Sequence, residues 1–144
     1  MEILLTIVAG VIVFFLGQML QQFILEPIKE FRKQRADAIY YVVRFRDLTD
    51  SSLVWDADEK NYVKQMRAAL IYSIELIPYY SLLSSLKIFG LPDRSKVHRA
   101  AEKIGMLANI VNTKSGAVIP RDLILAEEIG ELLGAKAALT SQSQ

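Results

Sequence analysis

From Ile3 to Leu25 the chain carries no charged residue. A helix crossing a hydrocarbon core about 30 Å thick needs roughly 20 apolar residues at 1.5 Å rise each. The run Ile3-Leu-Leu-Thr-Ile-Val-Ala-Gly-Val-Ile-Val-Phe-Phe-Leu-Gly17, continued by Gln-Met-Leu-Gln-Gln-Phe-Ile-Leu25, meets that length. A cleaved signal peptide is the first rival, but it calls for a basic start and a small-residue cleavage site. Glu2 and the bulky Phe23, Ile24 and Leu25 stand at those places instead. A buried helix of a soluble protein is the second rival, and such helices rarely go without charge for so long. Residues 1–26 are therefore read as a transmembrane anchor, with membrane lipid as a partner.

The flanks predict orientation. Lys29, Arg32, Lys33 and Arg35 follow the run, whereas Glu2 alone separates it from the first methionine. Cations collect on the cytoplasmic side, so a single-pass protein of a bacterial inner membrane is expected, its N-terminus outside and its C-terminal domain cytoplasmic. Each cation gains about 1 kcal/mol beside anionic lipid; a topogenic role is preferred to specific lipid recognition. Within the span, Gly10, Phe14, Gly17 and Gln21 fall on one helical stripe. Small residues admit a close second helix, and glutamine can hydrogen-bond across it. The spacing is not GxxxG, and an equal rival is that Gly17, Gln18, Gln21 and Gln22 mark the headgroup zone.

The remaining residues predict helices. Pro27 either kinks a continuous helix or starts a new one. Ile28, Phe31, Arg35, Ala38, Val42 and Phe45 keep helical spacing through a basic juxtamembrane helix, 27–47. After the turn cluster Asp47–Ser52, a helix follows with Tyr62, Val63, Met66, Ala69, Leu70, Ile74 and Ile77 on one face; Asp56 and Glu59 suit a capping box at its start. Pro78 ends or kinks it. Beyond the break Gly90-Leu-Pro-Asp93, with Asp93 as N-cap, Val97, Ala101, Ile104, Ala108 and Val111 define another helix. Pro120 opens a last one, with Leu125, Ile129, Leu132 and Leu133 opposite Glu127, Glu128 and Glu131, and Gly134 closes it. No segment alternates like a strand. The expected fold is all-α: a transmembrane helix, then an antiparallel bundle of about four helices over 48–139, with 140–144 a polar tail.

Ile77–Phe89 is apolar apart from Lys87 and lacks a clean polar side. It is read as the buried centre of the bundle, with a place on the membrane or a partner as the rival. Tyr79, Tyr80, Leu83, Leu86 and Phe89 are thus candidates for an interface or pocket, and Trp55 could serve in either setting.

The absence of cysteine excludes thiol catalysis, disulfides and thiolate metal sites, and the lone His98 excludes a multi-histidine centre in one chain. Seventeen Lys+Arg against sixteen Asp+Glu leave no global basic footprint, so nucleic acid is not an expected partner. GxSxG, phosphate-loop, HExxH and GxGxxG signatures are missing. No catalytic, metal or cofactor-binding residue is nominated, and no enzymatic activity is expected. The leading expectation is a membrane-anchored interaction module, an accessory or assembly subunit that binds other membrane subunits or itself. The alternatives are a regulatory module sensing a small ligand or lipid near Tyr79–Tyr80, and a membrane-bound hydrolase using carboxylate-held metal.

Overall fold

The computed structural model describes residues 2–47, 57–87, 89–113 and 120–135. Its spine is a helical rod made of α1 (Glu2–Leu20), a π-turn (Gln21–Leu25) and α2 (Glu26–Asp47). The continuous helix from Ile3 to Phe45 has 43 residues, about 65 Å at 1.5 Å per residue. Of the two courses open at Pro27, the chain takes the continuous one. Proline has no amide hydrogen, and in a regular helix its ring would press on the carbonyl four residues back, that of Phe23. Widening the turn just ahead of it makes room: the amide of Glu26 donates to the carbonyl of Gln21, five residues back.

Around α2 stand α3 (Ala57–Glu75), α5 (Arg94–Thr113) and α6 (Pro120–Leu132), with the short α4 (Tyr80–Ser85) between α3 and α5. The four long helices form a ring in which α2 and α5 each pack against both α3 and α6. The 27–47 helix is therefore itself a wall of the bundle, because its Ile28, Phe31, Ala38, Val42 and Phe45 all enter the core. Cross-links fix the antiparallel sense. Arg44 pairs with Glu59 at 2.7 Å, Tyr62 donates to Asp37 Oδ2 at 3.1 Å, and Glu75 at the end of α3 meets Arg94 at the start of α5.

The buried faces follow the helical spacing of the sequence: Val63, Met66, Leu70, Ile74 and Ile77 from α3 and its end, Val97, Ala101, Ile104 and Ala108 from α5, Ile129 and Leu133 from α6 and its end. Fully burying each Leu, Ile or Phe contributes roughly 1.5–3 kcal/mol. Among the described residues there is no strand. Tyr62 differs from the expectation: it lies on the rim at 39% exposure, because its hydroxyl reaches outward to Asp37. Ser73 takes a core place instead, its hydroxyl satisfied by the Leu70 carbonyl at 2.8 Å.

Element ends are chemically determined. The Ile77 amide reaches Ile74 O in a tightened last turn before Pro78. The carbonyl of Asp93 accepts from the amides of Lys96 and Val97, which opens α5. At the end of α6, Ala135 N bonds Gly130 O and Gly134 N bonds Glu131 O, with Gly134 at φ +75°. This is the reciprocal Schellman closure that favours glycine at that place. The capping box proposed for Asp56 lies outside the described residues.

Candidate functional site: α1 and the bundle end beside it

The surface of α1 is uncovered. Phe14 and Phe15 are 69% and 62% exposed, and every residue from Ile3 to Leu20 is exposed among the described residues. A helix apolar on every side belongs in a protein core or in lipid, and here the described residues offer it no core. Gly10, Phe14, Gly17 and Gln21 share this exposure, and a Cβ built at either glycine meets nothing within 4 Å.

The bundle begins where α1 ends. Ile24, still within the apolar run, packs against the core, and Ile28 is buried one turn later. Of the four cations that follow the apolar run, Lys29, Arg32 and Lys33 are exposed. Arg32 also holds the fold together: its Nη2 donates to the carbonyl of Phe89 at 2.8 Å. Arg35 is half-buried and lies over the end of α6, its Nη2 3.1 Å from where a Cβ on Gly134 would stand. A cation there faces the negative end of the helix dipole, while its buried Nε has no hydrogen-bond partner among the described residues.

The Ile77–Phe89 segment folds onto this same end of the bundle and divides residue by residue. Ile77, Tyr80 and Ser84 are buried, Leu83 and Phe89 are half-buried, and Tyr79, Leu82 and Leu86 are exposed. Neither burial nor exposure describes the whole segment, because α4 is a surface helix with one face inward. Tyr80 sets its edge against Phe31 with ring centroids 6.0 Å apart and donates its hydroxyl to Pro92 O at 2.7 Å. Burial pushes its phenol up to about 12, against the opposing pull of Arg35. Tyr79 and Tyr80 therefore face different surroundings and do not line a common pocket. Tyr79 and Lys87 hold left-handed backbone, at φ 55° and 53°, a region that non-glycine residues rarely occupy. Trp55 lies outside the described residues.

Two outward residues of this end escaped the sequence reading: Tyr72 and Leu76, exposed by 66% and 42%. Their i, i+4 spacing off the Leu70/Ile74 face was the available signal. At the opposite end of α2 and α3, Tyr41 packs against Tyr62 with centroids 5.0 Å apart and the rings tilted by 34°, and it meets Tyr40 edge-on. Burial raises the phenol pKa values of Tyr41 and Tyr62, with Glu59 adding to the first and the Asp37 hydrogen bond to the second. This cluster ties α2 to α3. His98 is half-buried on α5. A shallow groove between α3 and α5 is lined by Lys64, Arg67, Glu102, Gly105, Met106, Ala108 and Asn109.

Comparison with protein-family models, with curated proteins and with solved structures gives no match. Fold and surface define a class: an antiparallel α-helical bundle built around the continuation of one helix that is long and apolar enough to cross a membrane.

Proposed function

We propose that this chain is a membrane-anchored interaction module, an accessory or assembly subunit of a larger membrane complex. Ile3–Leu25 crosses a bacterial inner membrane, and the bundle lies on the cytoplasmic side. The observation that carries the reading is the bare apolar circumference of α1 directly joined to a bundle that closes its own core. Lys29, Arg32 and Lys33, exposed just past the span, support the orientation. The Gly10/Gly17 stripe offers lipid or a partner helix a surface that no other described residue occupies.

Native mass spectrometry of the protein extracted in mild detergent tests this function. Co-purifying subunits or a defined self-associated form are expected. A monomer carrying a stoichiometric small ligand would favour the sensing alternative, and one carrying a bound metal the hydrolase. Orientation is checked separately by a reporter fused after Gln144, which should be active only in the cytoplasm.

A further inference from the structure

We propose that the bundle touches the membrane a second time, through the α4 segment, with Tyr79, Leu82 and Leu86 seated at the headgroup–acyl boundary of the leaflet from which α2 emerges. The inference rests on the reading of Ile3–Leu25 as a span and adds a lipid-contacting face to the bundle itself.

Position carries the first step. The Phe89 carbonyl is clipped to Arg32, seven residues past Leu25 and hence about 10 Å further along the rod. The headgroup layer beyond each face of the hydrocarbon core is about 5–8 Å deep, so this loop stands at its edge. The register of α3 agrees. Tyr62 is level with Asp37, and the fourteen residues from there to Leu76 rise about 21 Å, which returns the chain to the level of the π-turn. The core reaches up to Ile24 inside the apolar run, so the bundle is flush with the bilayer surface.

Chemistry carries the second. Tyr79 is 81% exposed, Leu82 59% and Leu86 55%, beside the exposed Lys87 and on the same end as Lys29 and Lys33. An aromatic residue, leucines and lysines on one short surface element are what membrane-surface helices use, apolar groups down and cations among the phosphates. The left-handed backbone at Tyr79 and Lys87 brackets α4. Met106 and Ile124, also exposed, belong to the sides of the bundle, where Glu102, Asn109, Glu127 and Glu128 surround them in sequence.

The chain has no cysteine, so single-cysteine variants of the full-length protein can carry an environment-sensitive fluorophore in phosphatidylethanolamine/phosphatidylglycerol vesicles. Sites are Tyr79, Leu82 and Leu86, with Phe15 in mid-span and Tyr40 as an exposed site about 22 Å beyond Leu25. Lipids spin-labelled near the carbonyl should extinguish most emission at Leu82 and Leu86, and lipids labelled deep in the acyl chain most emission at Phe15. Tyr40 should respond to aqueous iodide alone. Quenching at Phe15 with Leu82 and Leu86 open to iodide would overturn the proposal while leaving the span intact. Leu82 and Leu86 shielded from both iodide and lipid would overturn it in favour of a protein covering the patch. A label at Phe15 that deep lipid leaves bright would remove the span, and this second contact with it.

Discussion

Arg32 donates from Nη2 to the backbone carbonyl of Phe89 at 2.8 Å, across 57 positions of sequence. The bond joins the first turns of α2 to the connection between α4 and α5, so the rod and the bundle end beside it are held as one piece. Tyr80 reinforces the joint from inside, with its ring edge on Phe31 and its hydroxyl on Pro92. Here the helix that leaves the apolar run is itself a core element, and α1 continues into the bundle through the π-turn without a linker.

Replacing Arg32 with alanine should loosen this joint without unfolding the protein. A hydrogen bond of this kind contributes about 0.5–1.5 kcal/mol net, and Arg32 is exposed. Faster amide exchange is expected at residues 86–91, with α5 and α6 unchanged. Unaltered exchange in that connection would mean the bond adds nothing in solution.

Tyr80 should make stability fall at high pH. An unfolded tyrosine ionises near pH 10, whereas the buried phenol holds its proton up to about 12. Below pH 10 both states are protonated and the stabilisation is fully present. As pH rises from 10 to 12 the unfolded chain releases this proton while the folded one keeps it, and stability is lost over that window, by on the order of 2 kcal/mol. Tyr80→Phe should cost about 1 kcal/mol at neutral pH through the lost bond to Pro92, yet flatten the alkaline decline. Melting curves in detergent at pH 8 to 11.5 compare the two; parallel declines would show that other groups dominate.

Much of the fold was legible because helical periodicity and end signals agree. Pro120 starts α6, Gly134 closes it, and Ile28, Phe31, Ala38, Val42 and Phe45 are buried as their spacing requires. The π-turn was not legible, since Pro27 announces a disturbance without saying which hydrogen-bond pattern absorbs it. Nor was the division of Ile77–Phe89: in a short apolar stretch with one charge, composition is nearly the same on both faces. Only the tertiary placement against Phe31 and Arg32 separates inward Tyr80 from outward Tyr79. Spacing sets Arg35 on the same face of α2 as Phe31 and Ala38, but its seat over Gly134 depends on where α6 ends, which spacing along α2 cannot reveal.

Two glycines of the bundle should respond in opposite directions to alanine. Gly105 is inside α5, where alanine is better by about 1 kcal/mol. Its Cβ would come 3.2 Å from Arg67 Cδ, a flexible and exposed side chain that can step aside, so Gly105→Ala should raise the melting temperature. Gly134 holds φ +75°, and a Cβ there would stand 3.1 Å from Arg35 Nη2. Left-handed backbone costs alanine roughly 1–2 kcal/mol, so Gly134→Ala should lower the melting temperature. Equal shifts would contradict the helix-end geometry.

The stripe on α1 provides the test of partnership. Among the described residues nothing comes within 4 Å of a Cβ at Gly10 or Gly17, so leucine there leaves their packing untouched. Leucine is also at least as lipid-compatible as glycine, and insertion should be preserved. If a second helix packs on the stripe, Gly10→Leu and Gly17→Leu keep it at a distance and association weakens. Leucine at Val11 or Ile12, off the stripe, controls for volume. Gln21→Leu should cost less, about 0.6 kcal/mol, the average for an interhelical hydrogen bond in a membrane. Co-purification in mild detergent and a transmembrane association reporter give the readout. Equal behaviour of stripe and control variants would make α1 an anchor only. Partner choice would then fall to the bundle, where Tyr72 and Leu76 on α3 and its end are the next residues to change, because they are exposed and apolar and their removal leaves the Leu70/Ile74 core face intact.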